Sequence, residues 1–409
     1  MIDVIVVGAG PAGSIAARFL AKYGYRVLVI EKEKMPRHKH CAGVISNQAY
    51  DLLLEQGIDC SIAIEQEYYG GIISFRDLEV HIFAGEKICA SAYREKFDHL
   101  LALKAEESAA EIVNDVVTGV KFGKENIEVL TKKGGSRKAQ IVLGADGVHS
   151  IVRNSIGIPL EKEKLALALE AELKVPSEKI DQLYGDYQHI DLGYVDTGYL
   201  WAFPKRKGGT INVGIGYPLT EYNNLSEPPQ KILKRFIAAR KITDKVDIKF
   251  HSAIMPFRGT CSIVGKDRVL LLGDAAGFVD PIMGDGIAYA LESGILAGKA
   301  VDMFLTERGD LVFEYTRAVK HIMNEINDYG MKMYNIMHGD RNRRLNMIRM
   351  CAVDAKIATI VFKMFAKKIK YEQALKELSS KKLIVPLIQS WYLNKRKKIA
   401  EKTHIKISI

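Results

Sequence analysis

The first thirty-one residues admit few folds. An apolar run at residues 4–7 ends at Gly8, Gly10 and Gly13, a GxGxxG. A helical stretch and a second strand, residues 26–30, follow and close on Glu31. Strand, turn, helix, strand and terminal acid in that order define a βαβ unit built to hold a dinucleotide. Gly8 allows the tight turn, Gly10 lets the backbone approach a pyrophosphate, and Gly13 permits close helix–strand packing. The helix start, at Pro11 and Ala12, offers unpaired N–H groups and the positive end of its dipole to the phosphates. Glu31 can accept hydrogen bonds from a ribose diol, with Lys32 beside it.

The rest of the 409 residues is long enough for two or three domains with real cores. No run of about 18 apolar residues predicts a spanning helix, and the N-terminal segment lacks the basic and apolar regions of a secretory signal. A cytoplasmic location is expected. Cys41, Cys60, Cys89, Cys261 and Cys351 are odd in number and lack CxxC spacing, so neither a zinc site nor a disulfide framework is expected. The net charge of +10 suits anionic lipid or an acidic protein partner. No nucleic-acid motif accompanies it, and no nucleic-acid partner is expected.

Later segments complete the first unit. Residues 127–132, 140–147 and 268–274 read as strands, the last two ending in Gly144-Ala145-Asp146-Gly147 and Gly273-Asp274. From Ile287 the apolar spacing is helical. The pattern predicts an α/β chain: a Rossmann-like domain assembled from residues 1–57, 91–155 and 262–308. A β-rich substrate domain from 58–90 and 156–261 is inserted in it, and a helical region runs from 309 to 409. In the last part, 311–336 and 345–368 are the clearest helices.

Three motifs turn a dinucleotide site into a flavin site. Arg94 enters a helix in the run 93–101, where it can reach the pyrophosphate by charge-assisted hydrogen bonds or lie on the surface. GADGVHSIVR, residues 144–153, is a strand end and tight turn. In residues 271–294, Asp274 can accept from a ribityl chain, and Gly284 and Gly286 bring backbone against the ligand. The helix from Ile287 can stabilise negative charge at the N1/O2 edge of a reduced flavin.

Together and in this order, these motifs resemble the p-hydroxybenzoate-hydroxylase-type FAD superfamily over about residues 1–325. The resemblance implies FAD across the N-terminal domain with its ring facing the β-rich domain. A narrower likeness lies in Tyr199-Leu200-Trp201-Ala202-Phe203-Pro204-Lys205 followed by Gly214-Ile215-Gly216, which resembles the YxWxFPK…GxG signature of the geranylgeranyl reductase family. The run Pro36-Arg37-His38-Lys39-His40-Cys41-Ala42-Gly43 resembles its second marker, with Ala42 where relatives often carry the first glycine of Cys-Gly-Gly. Asp285 stands where relatives commonly have Glu.

In a strand, Tyr199, Trp201 and Phe203 share one face and either fill a core or wall a pocket; the following Pro204-Lys205 and GxG favour the pocket. A polyprenyl chain offers only apolar surface to such a wall. The resemblance thus implies an FAD-dependent reductase of carbon–carbon double bonds in isoprenoid chains, most naturally those of archaeal ether lipids. Tyr199, Trp201, Phe203 and Gly214 would contact the chain, and Cys41, beside Ala42 at the cofactor, would contact the alkene or help supply a proton. A small buried hydrophobe is the other reading of Cys41. Electrons would come from NAD(P)H or a ferredoxin. A monooxygenase or halogenase on the same scaffold, or a non-catalytic flavin or lipid carrier, is the alternative. The basic run 395–398, after Trp391, Tyr392 and Leu393, can lie on an anionic membrane face or be a solvated tail.

Overall fold

The structure, a computed structural model, describes residues 2–159, 161–244, 247–307, 309–338, 341–380 and 404–408. Strand Ile2–Val7 is the centre of an eight-stranded sheet, paired in parallel with Val27–Glu31 on one side and Gly135–Gly144 on the other. Val4, Ile5 and Val6 are wholly buried. Both faces of this sheet are covered, so its strands read as unbroken apolar runs rather than alternating ones. Glu111–Asn114 extends one edge and Val269–Leu271 the other, so strands far apart in the chain sit side by side.

Helix Pro11–Lys22 lies against helix Ile287–Glu307. A β-carbon on Gly294 would stand 2.5 Å from the Ala12 carbonyl oxygen, and one on Gly298 would stand 2.5 Å from Phe19 Cδ1. Four residues apart, these glycines share one helix face. Their missing side chains let the late helix dock onto the helix that the GxGxxG opens.

A second eight-stranded sheet runs His251–Pro256, Leu165–Lys174, Thr210–Pro218, Tyr199–Lys205, Tyr187–Asp191, Gly70–Phe75, Leu78–Phe83 and His404–Ser408. Its side chains alternate between two faces. Leu200, Ala202, Val213 and Ile215 pack with Ile232, Leu233 and Phe236 of helix Pro229–Ala239. Trp201 and Phe203 point the other way, toward Ile348, Cys351 and Phe362 of the later helices. A small three-stranded sheet, Val44–Ser46, Cys89–Ala92 and Ile64–Tyr68, lies beside them.

The helices expected over 311–336 and 345–368 form with breaks. Leu311–Asn324 passes through a π-helical turn, Glu325–Gly330, before Met331–His338. The second stretch splits at Asp354, whose carboxylate accepts from the Lys356 and Ile357 amides and starts a new helix, Ala355–Phe365. The expectation of helix to the end fails at His404–Ser408, a strand parallel to Leu78–Phe83. Its β-branched alternation suits an open sheet edge better than a helix. The basic run 395–398 and Trp391, Tyr392 and Leu393 lie outside the described residues. Among the described residues, no helix is long and apolar enough to cross a membrane.

The two-helix contact gives a direct test. Gly294→Ala is expected to cost about 1–3 kcal/mol of stability through overpacking. Gly309→Ala, where an added β-carbon meets nothing within 4 Å, is expected to be neutral. Urea unfolding of the two variants beside the wild type measures both.

Candidate active site and cofactor cleft

A cavity of about 1010 Å³ runs from the GxGxxG to the aromatic strand. At its first end, Gly8 adopts φ +99°, and a β-carbon there would lie 2.5 Å from the Ala145 oxygen. A β-carbon on Gly13 would lie 1.9 Å from the Gly8 oxygen, so Gly13 serves helix packing and does not line the cavity. Gly10, Pro11, Ala12, Glu31 and Lys32 do line it. The Glu31 carboxylate is buried and accepts from the Ala9 amide at 2.7 Å and the Glu33 amide at 3.0 Å. These bonds orient it at the strand end.

Arg94 is buried and opens the helix expected of it. It lines the cavity, but its guanidinium makes two hydrogen bonds, 2.7 and 2.8 Å, to Asp98 one turn along its own helix. Asp98 is wholly buried. Burial alone would raise its carboxyl, but Arg94 first, then Arg37 and Lys39, overcome that and hold it below the usual range. Arg37 reaches the same carboxylate and also lines the cavity. Its Nη2 stands 3.1 Å from Asp98, and the nearest heavy atom to a β-carbon on Gly10 would be that same Nη2, at 3.7 Å. Buried Nη1 of Arg37 has no hydrogen-bond partner among the described residues. An unsatisfied guanidinium donor beside Gly10 and a helix N-terminus fits a pyrophosphate.

Along the cavity, Asp274 lies in the turn Gly273–Ala276, and its carboxylate accepts no hydrogen bond from the described residues. Its Oδ1 is 3.3 Å from where a β-carbon on Gly286 would sit, so Gly286 leaves that acceptor open. Gly284 turns at φ +66°. Ile287 starts the late helix, and its amide is already taken by Asp285 at 3.1 Å. Burial pushes the Asp285 carboxyl up, against the pull of Lys367. Asp146 of the GADG turn caps the next helix through the Ile151 and Val152 amides. Arg153 then bonds the Val148 and Ala275 carbonyls, joining the GADG and GD turns.

At the far end, the rings of Tyr199 and Trp201 are 5.9 Å apart and those of Trp201 and Phe203 6.3 Å, and all three line the cavity. The indole is fixed by Trp201 Nε1 donating to Asn212 at 2.7 Å. The Tyr199 hydroxyl donates to the Met283 carbonyl and joins this strand to the loop after the GD turn. Gly214 does not face the cavity. A β-carbon there would lie 2.1 Å from Trp201 Cζ2, so the indole occupies its place, while Gly216 lines the wall. Cys41 and Ala42 line the cavity between its two ends. Gly43, not Ala42, carries the demanding backbone: it has φ +77°, and a β-carbon would lie 2.0 Å from the Ala92 oxygen. Alanine at 42 is therefore tolerated. Lys367, from beyond the expected flavin motifs, also reaches the cavity, ion-paired to Asp280, which accepts from Tyr371 at 2.6 Å. Nothing local in the sequence marks it.

The family model described as "FAD binding domain" matches residues 1–326. A digeranylgeranylglycerophospholipid reductase of Methanosarcina mazei is 31% identical over 307 residues, which is 73% of this chain and 74% of that one. A crystal structure of a geranylgeranyl bacteriochlorophyll reductase-like protein from Thermoplasma acidophilum superposes with a TM-score of 0.77 at 24% identity, covering 92% of this chain and 98% of that one. The halogenase PltM, solved with phloroglucinol and FAD, shares the fold at a TM-score of 0.69 and 16% identity, over 91% of this chain and 85% of that one.

The fold and cleft thus define a flavoprotein oxidoreductase with FAD as its cofactor. The chain belongs to the FAD binding domain family and, within it, to the geranylgeranyl reductases. The orphaned Arg37 donor and the free Asp274 acceptor, at two points along one cleft, suit the pyrophosphate and ribityl parts of FAD.

Arg37→Met is expected to weaken FAD binding roughly 10- to 150-fold, the worth of a charged hydrogen bond of about 1.5–3 kcal/mol. Flavin fluorescence across a dilution series measures it, and unchanged retention would place the pyrophosphate elsewhere.

Proposed function

We propose that this chain saturates carbon–carbon double bonds in a geranylgeranyl chain carried by an ether-type lipid. The observation that carries this reading is the continuity of the cleft: the GxGxxG, Asp274 and the aromatic wall open into one space, with Cys41 between them. Bound and reduced, FAD supplies the two-electron equivalent that an alkene needs. The chain's own residues do the rest. Trp201, Phe203, Ala168, Met255 and Ile282 offer a polyprenyl chain apolar contact, worth about 0.8 kcal/mol per buried methylene. An isolated alkene has no carbonyl to grip, so depth of insertion against Trp201 sets which bond is reduced. Cys41 borders the reacting region from the loop that Gly43 and Arg37 hold.

The substrate class follows from that lining together with the relatives' names, and a long-chain substrate of this kind enters from a bilayer surface. Peripheral contact with an anionic leaflet suits the net charge of +10. Reducing equivalents come from NAD(P)H or from a ferredoxin, for which the same charge provides attraction.

Anaerobic incubation with dithionite and a panel of geranylgeranyl lipids, followed by mass spectrometry, tests the reading. The expected product gains two hydrogens per double bond. A requirement for oxygen would instead place the chain with the halogenases and monooxygenases that share its fold. Cys41→Ser is expected to slow reduction about 10- to 100-fold through misplacement of the chain. Trp201→Phe is expected to spread products over several double bonds, and both variants to retain FAD. Unchanged products from both would return the two residues to ordinary packing roles.

A further inference from the structure

Glu170 lies on strand Leu165–Lys174, 6% exposed, with Gly214 opposite it on one neighbouring strand and His251 on the other. It lines the main cavity, as do Trp201 and Cys41. It also lines a second cavity of about 380 Å³ on the far side of the Cys41 loop. A carboxyl in the wall between the two spaces borders the main cavity on one side and a second space, lined mostly by polar residues, on the other.

The charges around it come from four elements. On its own strand, Glu172 pushes its protonation up. From the aromatic strand, Lys205 pushes it down while held 2.7 Å from Glu172. From the Cys41 loop, the Cys41 amide favours the charged form, and His40 Nδ1 stands 3.9 Å from Glu170 Oε1. From the neighbouring strand, His251 stacks on His40 with ring centres 4.5 Å apart, and Lys249 lies beyond it. Burial dominates the sum and raises the Glu170 carboxyl to about 7. Burial thus favours a protonated carboxyl up to near neutral pH, a state suited to giving a proton away.

A route for refilling adjoins it. His38 is exposed, and its Nε2 lies 3.1 Å from His40 Nδ1. Burial, His38, His251 and Lys249 all lower His40, and burial, Lys249 and His38 lower His251, so both imidazoles are neutral at pH 7 and able to take up a proton. Both contacts use His40 Nδ1, so that nitrogen takes the proton from His38 and the ring then turns to close the 3.9 Å gap to Glu170.

We propose that Glu170 is the general acid of this site, delivering the proton of alkene reduction and regaining it from solvent through His38 and His40. The assignment rests on the reductase function above. Saturating one double bond takes two electrons and two hydrogens. With FAD bound and reduced, the cofactor would supply the hydride equivalent to one carbon. The other forms its C–H bond as the Glu170 O–H bond breaks, leaving a carboxylate that is reprotonated by way of His40. Because the protonated form donates, reduction falls as pH rises through about 7.

The test combines a spectrum with kinetics. Infrared difference spectra of the oxidised, FAD-loaded wild type against Glu170→Gln are expected to show a protonated carboxyl band that disappears as pH rises through about 7. No such band overturns the proposal. In anaerobic single turnovers, Glu170→Gln is expected to be slower by roughly 10²–10⁴-fold and to lose the alkaline limb. Glu172→Gln, which removes the neighbouring negative charge, is expected to keep the limb and move it to lower pH; it carries the test if Glu170→Gln fails to retain flavin. His40→Phe is expected to slow the later turnovers more than the first, whereas an equal slowing of both overturns the relay. A wild type that saturates no chain overturns the function and this assignment together. A wild type matched by Glu170→Gln in rate and alkaline limb overturns this assignment alone.

Discussion

Asp98 is wholly buried and shared by two arginines, and the working parts of the cleft depend on that arrangement. Arg94 binds it from the same helix, and Arg37 binds it from the loop after the first βαβ unit. Losing the Arg37 contact costs about 1.5–3 kcal/mol, the worth of a charged hydrogen bond, while Asp98 stays paired to Arg94. The cost fixes the loop rather than the helix, since the helix holds Arg94 and Asp98 together through its own backbone. Once Arg37 is anchored, His38, His40 and Cys41 follow within four residues and are carried to the boundary between cofactor and substrate space. One carboxylate thus positions an anion-binding group and the residues bordering the reaction.

A second anchor fixes the opposite wall. Asp280 accepts from Tyr371 and pairs with Lys367, so the C-terminal helices are tied to the loop that carries Gly284 and Gly286. Lys367 sits at φ +56°, a conformation that costs a non-glycine residue about 1–3 kcal/mol. The pair with Asp280 and the tyrosine ring, 4.5 Å from its ammonium, hold it there. Gly330 comes equally close to that loop: a β-carbon on it would meet Pro281 at 2.8 Å. The helical region is therefore part of the cavity wall and not a separate cap.

Features encoded within a few residues were legible in the sequence. The GxGxxG, Glu31, the GD turn and the alternation of Tyr199, Trp201 and Phe203 each follow from local spacing and backbone geometry. The Asp354 break was missed, although an aspartate before a helical run is itself a local capping signal. Features that require two distant segments to meet were not legible. Arg37 finds Asp98 sixty-one positions on, Glu170 meets His40 across a longer gap, and Lys367 joins Asp280 from outside every recognised motif. Arg94 stands on the expected helix and in the cavity wall, and its pairing with Asp98 one turn away is a feature that the sequence does not show, because it depends on the burial of that carboxylate. Gly214 was read as a contact for substrate. A missing side chain signals close approach without saying what approaches, and here it is the indole of Trp201.

The central sheet also bears on how the chain is made. Its strands come from residues 2–31, 111–144 and 265–271, and the Asp274 turn follows the last of them. At about 5–20 residues per second, a ribosome needs roughly fifteen seconds to a minute between the first strand and that turn. During this interval the Gly265–Leu271 edge is absent and the buried face of the first helix has no Gly294 to receive it. Cofactor loading is therefore a late event in the life of each molecule. The nascent chain carries a half-built, apolar parallel sheet until then, which makes it a natural client for chaperones that shield such surfaces.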